Sequence, residues 1–410
     1  MPDKSPPAHT ANLTNHLILT VYIPSLIMAI STGMLIPIMP LYAGTFEVSY
    51  GLIGIMLAAE GIGNLAFDIP AGLIIQRLGH KKVMLLGAAC TILGHLALVW
   101  ARDTVEVMAY LLLAGAGAAM WSISRHSYIA DLIQVQRRGR SIAVLGGIGR
   151  LGVLIGPALG GFIGASFGLR APFIVFACLT LVGALAVLFW VVEENRQSPA
   201  STAKKAGPGD ILRTHYRPLL TAGAGQLCAQ LIRSARHIII PLYGADVLGL
   251  DVQSVGLIIS LASATDVLMF YPAGMIMDRF GRKFAYVPSF IIQSLGMVLI
   301  PLTGGFGALL LVAMLIGLGN GLGSGTMMTL GADLAPPHGR GTFLGMWRFI
   351  GDSGDTGAPL VIGSVADVLG LTTAPVVVAG IGVVGVGILA LLVPETLQNK
   401  ERSPGQSTGG

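Results

Sequence analysis

The sequence predicts an all-α membrane protein in which twelve transmembrane helices form two pseudo-symmetric six-helix bundles. Of its 410 residues, 53% are hydrophobic and 11% are charged, and the mean hydropathy is +0.77. Soluble domains carry about 25% charged residues, so a cytosolic enzyme, a disordered scaffold and a secreted disulfide module are all excluded. The apolar residues form runs of about twenty, the length that crosses a bilayer. The two halves of the chain also repeat one another.

Small residues support the same fold class. Glycine makes up 57 of the 410 residues, twice the usual share of about 7%, and small residues let membrane helices approach closely. Cys90, Cys178 and Cys228 all lie in apolar runs, and no pair of them has the spacing of metal ligands. We therefore expect no disulfide framework and no metal site. We expect no cofactor either.

The apolar runs predict twelve spans along the chain. Their bounds are 17–43, 50–76, 82–101, 107–131, 141–166, 171–192, 218–243, 253–277, 283–303, 306–334, 341–367 and 373–394. The first run is too long for the core of a signal peptide. One long hydrophilic stretch, rich in Pro, Ser and Lys, separates the sixth span from the seventh. The predicted organisation is a tail (1–16), a first bundle (17–192), a linker (193–217), a second bundle (218–394) and a second tail (395–410).

The positions of lysine and arginine predict the orientation. The loops after the even-numbered spans, the linker and the tails hold 18 of the 25 lysines and arginines, whereas the opposite loops hold only Arg102 and Arg170. Basic residues remain on the cytoplasmic side of a membrane. We therefore expect a multi-pass protein of the cytoplasmic (inner) membrane with both termini in the cytoplasm. The net charge of +5 is then a sign of topology, and no nucleic-acid partner is expected.

The two halves match at a single ungapped offset of 202 residues. This offset places Pro70-Ala71-Gly72 on Pro272-Ala273-Gly274 and Pro157 on Pro359. Two homologous bundles of this kind are typical of proteins whose binding site opens alternately to the two sides of a membrane.

The loop after span two and its repeat share glycines and basic residues at one spacing. The positions are Gly72, Gln76, Arg77, Gly79 and Lys81 in the first copy and Gly274, Asp278, Arg279, Gly281 and Arg282 in the second. Glycines allow a tight turn, and the acid can cap a helix and pair with arginine. Both copies resemble the G-x-L-x-D-R-x-G-R-K loop of the major facilitator superfamily.

In that family the loop latches the two halves in the outward-open state. The resemblance implies that Asp131 and Asp333, at the inner ends of spans four and ten, pair with these basic loops. Gln76 stands where the family has Asp, so we expect the first latch to be weaker. The alternative is that the loops serve orientation and turn formation alone.

Span five carries a glycine motif with one proline. Its residues are Gly152, Gly156, Pro157, Gly160 and Gly161. The motif resembles the G-x-x-x-G-P-x-x-G-G signature of antiporters in the superfamily. The alternative is close helix packing without any bearing on the direction of transport. Leu111 fills the position where the family often has an Arg in span four, so other residues would have to carry a proton.

The resemblance implies a secondary active transporter, not an enzyme. The implied activity is proton-coupled export (antiport) of small organic molecules by alternating access, by a monomer. The chain has no G-x-x-x-x-G-K-[ST] motif for ATP, so an ion gradient is the expected energy source. The alternative is a proton symporter that imports an organic anion or another small metabolite.

Ionisable residues inside the spans are the first candidates for proton coupling, because they are costly in lipid. They are Glu60 and Asp68 in span two, Arg150 in span five, Asp266 in span eight, and Arg348, Asp352 and Asp355 in span eleven. The hypothesis is that Arg348 faces Glu60 or Asp68, that Asp352 or Asp355 carries the proton, and that Arg150 pairs with Asp266. Static ion pairs are the alternative.

The resemblance implies that spans one, four, seven and ten line the substrate cavity. The candidates there are Trp121, Arg125, Gln226, Gln230, Arg233, Arg236 and Asn320. The arginines of span seven favour an anionic or zwitterionic substrate. Alternatively, Arg236 reaches outer water, and Arg125 extends to the membrane surface or pairs with Asp131.

Overall fold

The computed structural model describes residues 17–132, 135–191, 208–337 and 339–397. The side chains of residues 130–143 and of Pro208 are outside that description. Four predictions therefore lie wholly or partly outside the described residues: the tail 1–16, most of the linker, the end of the tail 395–410, and the latch acid Asp131.

Within the described residues, six helices precede the linker, and their ends lie no more than six residues from those of the predicted spans. They are α1 (Ile23–Gly44), α2 (Tyr50–Leu78), α3 (His80–Ala97), α4 (Thr104–Leu132), α5 (Val135–Phe167) and α6 (Ala171–Trp190). A π-helical turn, Ile18–Tyr22, leads into α1, and a 3₁₀ turn, Leu98–Trp100, follows α3. No strand occurs in the described part of the chain, as the predicted all-α class requires.

Seven helices follow the linker in the part of the chain that the structure describes. They are α7 (Pro208–Leu242), α8 (Val252–Arg279), α9 (Lys283–Leu299), α10 (Phe306–Leu322), α11 (Thr326–Leu334), α12 (Arg340–Leu369) and α13 (Ala374–Leu391). Helix α7 begins at Pro208, within the predicted linker, and has non-helical backbone at His215. The predicted tenth span is broken, because Gly325, with φ 75°, separates α10 from α11. Only a residue that tolerates a left-handed conformation fits there.

Ten helical segments of the described chain are long and apolar enough to cross a membrane. They include every predicted span except the seventh and eleventh, α7 and α12. Helix α7 carries Arg233 and Arg236, and α12 carries Arg348, Asp352 and Asp355. These charged residues lower the hydropathy of the two helices.

The chain forms two compact units whose membership differs from the predicted halves by two short segments. Unit 1 contains residues up to 48, 55–197 and 251–260, and unit 2 contains 49–54, 198–250 and the residues from 261 onward. The first turn of α2 therefore packs in unit 2, and the first turns of α8 pack in unit 1. In each of these two segments, a glycine lies where the segment contacts another helix of the same unit. A Cβ at Gly54 would overlap the Pro359 carbonyl, and one at Gly256 would overlap the Pro157 carbonyl.

Candidate functional site

A buried ion pair lies in the core of unit 2. Arg236 on α7 donates from Nη2 to Asp266 Oδ2 on α8 over 3.4 Å, and both side chains are only 10% exposed. Asn320 on α10 donates from Nδ2 to the same oxygen over 2.6 Å. Three helices thus meet at one carboxylate. The alternative in which Arg236 reaches outer water is not what the structure has, because its side chain is buried and bonded.

Only one of the two oxygens of the Asp266 carboxylate is hydrogen-bonded among the described residues. Asp266 Oδ1 is buried and has no hydrogen-bond partner among the described residues, and the same is true of Asn320 Oδ1. Arg236 Nε also donates to His237 Nε2 over 3.3 Å. A buried acceptor without a donor is costly, so Asp266 Oδ1 has the capacity to accept one more hydrogen bond.

The break between α10 and α11 lies beside this cluster. Arg233 donates from Nη2 to the carbonyl of Gly323, the residue that caps the end of α10, over 2.7 Å and from Nη1 to Gln230 Oε1 over 3.2 Å. Its guanidinium also lies 5.4 Å from the ring centre of Phe290. A cation is favoured at the C-terminal end of a helix, so Arg233 stabilises the break. Gln226, the remaining predicted cavity residue of α7, is buried.

The ionisable residues of α12 are in a different environment. Arg348 Nε lies 3.2 Å from Asp352 Oδ2, one turn away on the same helix, and the two side chains are 50% and 27% exposed. Asp355 is exposed as well. Arg348 and Asp352 do share a face of α12, as predicted. Their ion pair, however, joins two residues of one helix and is partly exposed. Its proposed partners Glu60 and Asp68 belong to unit 1, and that pairing stays a prediction.

The described partners of Asp266 differ from the one in the sequence-based hypothesis. The sequence pairs it with Arg150, whereas Arg236 and Asn320 bond it in the structure. Arg150 lies on α5 and donates from Nη1 to the Gly146 carbonyl over 3.3 Å. The pairing of Arg150 with Asp266 stays a prediction.

Of the two predicted cavity residues in unit 1, Trp121 belongs to the hydrophobic core and Arg125 is half-buried. Trp121 is 4% exposed and packs with Met28, Met84 and Tyr128 in a hydrophobic cluster, so its ring is not an open stacking surface. Its indole Nε1 has no hydrogen-bond partner among the described residues. Arg125 is half-buried and donates from Nη1 to Ser25 Oγ over 3.2 Å.

The second latch loop is bound by two acids. Arg282 is buried and donates from Nε to Asp333 Oδ2 over 3.0 Å, which brings together the predicted partners. In contrast, the side chain of Asp278 is 77% exposed, and its Oδ1 lies 3.9 Å from Arg282 Nη1. The second acid is Glu395, which sequence reasoning missed. Its carboxylate accepts from the backbone N–H groups of Arg282 and Lys283 at the start of α9, each over 2.9 Å.

Glu395 therefore acts as an N-cap for α9 from a distant part of the chain. Burial raises the pKa of its carboxyl, but four backbone N–H groups that bond the charged form outweigh burial and lower the pKa below its usual value. Thr396 adds a bond from Oγ1 to Asp333 Oδ2 over 2.9 Å. The repeat offered a signal, because the offset of 202 matches Glu395 with Glu193.

Replacing Gly281 by alanine is expected to lower the free energy of unfolding by about 1–3 kcal/mol. Gly281 has φ 114°, and a Cβ there would lie 2.6 Å from Glu395 Oε2. Gly274→Ala is the matched control, since open space surrounds that position. Thermal unfolding in detergent measures both. Equal melting temperatures for the two variants would contradict a requirement for glycine at 281.

The first latch loop is more open. Gln76 and Arg77 are exposed, Lys81 is half-buried, and Gly79 has φ 82° where the chain turns into α3. At the position equivalent to Arg282 the offset places His80, whose carbonyl accepts from Ser124 Oγ over 2.7 Å. An uncharged Gln76 and an exposed arginine fit the expectation of a weaker latch, which stays a prediction.

Comparison with known proteins gives a family match over most of the chain. The model of the Major Facilitator Superfamily matches residues 21–354 and 222–409. The chain is 26% identical over 262 residues to multidrug resistance protein 2 of Bacillus subtilis, covering 61% of this chain and 64% of that protein. It is 26% identical over 278 residues to the class B tetracycline resistance protein of Escherichia coli, with coverages of 66% and 69%.

A longer match, at 21% identity over 391 residues, is to the quinolone resistance protein NorA of Staphylococcus aureus, covering 92% of this chain and 96% of that protein. Among solved structures, a variant of the nucleoside transporter NupG superimposes with a TM-score of 0.75 at 15% identity and covers 92% of this chain and all of that chain. A bacterial homologue of the lysosomal transporter Spinster gives 0.74 at 14% identity, with coverages of 94% and 96%. These similarities establish the twelve-helix fold.

Proposed function

Because the chain belongs to the major facilitator superfamily of membrane transporters, we propose that it exports small organic molecules in exchange for protons by alternating access. Three relatives whose names refer to drug resistance support export. The proposal includes a cytoplasmic membrane location with both termini inside, for which the distribution of Lys and Arg is the support. We also propose that the protein acts as a monomer and uses no cofactor.

The observation that carries the proton coupling is the buried carboxylate of Asp266. A charge in the middle of a membrane helix costs about 2.5–3.5 kcal/mol, and here one partner, Arg236, balances it across two helices. A proton bound at Oδ1 would neutralise the carboxylate and remove the counter-ion of Arg236. The attraction between α7 and α8 would then weaken, which couples proton binding to a change in helix packing.

The test uses inverted membrane vesicles with an acidic interior and an internal pH dye. Tetracycline, a quinolone and a small organic anion are added in turn to wild type, Asp266→Asn and Asp352→Asn. We expect substrate-triggered proton efflux in wild type and Asp352→Asn, and its reduction to background in Asp266→Asn, because an amide takes up no proton. Asp352→Asn is the matched control, since its local pair is far more exposed.

Other results would change the assignment. Loss in Asp352→Asn alone would make the predicted acid of α12 the carrier. If both variants kept full activity and an unchanged pH dependence, Asp266 and Asp352 would be members of static ion pairs that carry no transported proton. Proton movement in the same direction as the organic anion would identify a symporter, for which Arg233 and Arg236 are the candidate anion-binding residues.

A further inference from the structure

The first residues of α7 form an extension that precedes the predicted seventh span. That span is predicted to begin at residue 218, whereas α7 begins at Pro208 and has non-helical backbone at His215, with φ −125° and ψ 27°. Pro218 explains the position of the kink, because a proline lacks the N–H that would bond the carbonyl four residues earlier and its ring clashes with that carbonyl. The residues before Pro218 are therefore joined to the membrane helix by a kink.

One side of this extension packs against unit 2. Ile211 is 3% exposed, and Leu219, just beyond the kink, is 4% exposed. The ring of His215 meets the ring of the fully buried Phe343 on α12 edge-on, with 6.5 Å between the ring centres. These contacts hold the extension in place and leave its other side facing outward.

The outward side carries an apolar stripe that continues along the membrane helix. Its members are all exposed and recur every three or four residues, as one face of a helix requires: Leu212, Tyr216, Leu220, Ala224 and Leu227. The first three are 50%, 45% and 66% exposed. The last three belong to the predicted span, so their exposed face meets lipid, and Leu212 and Tyr216 continue that face to the membrane surface.

Two arginines lie beside the stripe, each one residue after a member of it. Arg213 and Arg217 are both exposed, and neither forms an ion pair among the described residues. Arg217 Nε donates to the Tyr216 hydroxyl over 3.2 Å, and the guanidinium carbon lies 6.0 Å from the centre of that ring. Asp210 is the only acid in residues 208–220, so the extension is basic overall.

The length of chain places these arginines at the level of the lipid headgroups. Arg217 precedes the predicted span by one residue and Arg213 by five, which is at most about 8 Å at the helical rise per residue. The headgroup region on each side of the hydrocarbon core is about 5–8 Å thick. Aromatic and basic side chains next to an apolar face are typical of this region, and guanidinium groups bind phosphate through two parallel hydrogen bonds.

We propose that the outward side of residues 212–217 binds an anionic phospholipid. Leu212 and Tyr216 contact the upper part of the acyl chains, and Arg213 and Arg217 bind the phosphate. A zwitterionic headgroup carries a cation beside its phosphate, so an anionic headgroup is the better complement to two guanidinium groups. The inference goes beyond the proposed function and rests on it only for the leaflet: with both termini inside, this end of α7 lies in the cytoplasmic leaflet, whose anionic lipids attract basic segments.

The test places a probe in the stripe itself. A fluorophore is attached to Leu212→Cys in the full chain, whose three native cysteines are replaced by serine, and the protein is reconstituted in phosphatidylcholine nanodiscs. Quenching by spin-labelled phosphatidylglycerol is compared with quenching by spin-labelled phosphatidylcholine at the same mole fraction. We expect stronger quenching by phosphatidylglycerol. The variant Arg213→Gln, Arg217→Gln should lower that preference at least tenfold, since each arginine near an anionic surface contributes about fivefold to binding.

Arg340→Gln is the matched control, because Arg340 is an exposed arginine of the same unit that stands between two glycines instead of beside an aromatic residue. It should leave the preference unchanged. Equal quenching by the two lipids in wild type would overturn the site, as would a preference that persists in Arg213→Gln, Arg217→Gln or falls as far in Arg340→Gln. Absence of quenching by either lipid would also overturn it, since the extension would then lie away from the membrane.

The outcome is independent of the vesicle assay. Quenching needs no transported substrate, and both leaflets of a nanodisc contain the labelled lipid, so the orientation of the chain does not enter. A lipid preference in a protein that shows no antiport would leave the lipid site standing and remove the proposed function. Antiport by a protein without a lipid preference would remove the lipid site alone.

Discussion

Replacing Gly156 by alanine is expected to lower the free energy of unfolding by about 1–3 kcal/mol, the usual cost of overpacking. Gly156 on α5 faces Gly33 on α1, and a Cβ at position 156 would lie 2.6 Å from the Gly33 Cα. The obstacle is backbone, which no side-chain rotation relieves. Alanine would therefore push apart two helices that otherwise pack with their backbones in contact. Thermal unfolding in detergent and the amount of folded protein in membranes measure the effect.

The matched control is Gly149→Ala, two turns earlier on the same helix, where nothing lies within 4 Å of the methyl group that alanine would add. Alanine is the better helix former by up to about 1 kcal/mol, so this variant should be at least as stable as wild type. If both variants unfold at the same temperature, the close approach of α1 and α5 is not needed. The comparison also bears on the antiporter-type motif of span five. Its glycines have a packing role in unit 1 whatever the direction of transport.

Most of the fold could be predicted because its causes are local. Apolar runs long enough to cross a bilayer mark the helices, and glycine and basic residues mark the turns between them. The break at 323–325 could not be predicted in this way. Residues 317–325 read Gly-Leu-Gly-Asn-Gly-Leu-Gly-Ser-Gly, and nothing in that stretch indicates that Gly325 rather than Gly321 takes a positive φ. In the structure Arg233 donates to the carbonyl of Gly323 at this break, and that bond joins distant parts of the chain.

The candidate site could be predicted as a set of residues but not as a set of contacts. Asp266, Arg236 and Asn320 all stand out in the sequence, because charged and amide groups are rare in apolar spans. Their partnership depends on how α7, α8 and α10 are rotated about their axes. An internal repeat gives equivalent positions in two bundles, and equivalence points to Arg150 as the partner of Asp266.

The second large effect is expected for the buried pair of unit 2. Arg236→Gln should lower the free energy of unfolding by about 3–5 kcal/mol, because it leaves the carboxylate of Asp266 buried without its cation. Both side chains are 10% exposed, so water cannot replace the guanidinium. The double variant Arg236→Gln, Asp266→Asn should recover most of that loss, since it removes both charges. Thermal unfolding in detergent, compared among the two single variants and the double variant, gives the coupling energy.

A second ion pair in the same unit provides the comparison that makes this prediction sharp. Arg348→Gln breaks a pair of the same chemistry on α12, but there the side chains are 50% and 27% exposed, and we expect a loss below about 1 kcal/mol. Equal losses for Arg236→Gln and Arg348→Gln would contradict the burial argument. A stable double variant that no longer exchanges protons would separate the two roles of Asp266. Stability requires only that the charges balance, whereas coupling requires a group that can gain and lose a proton.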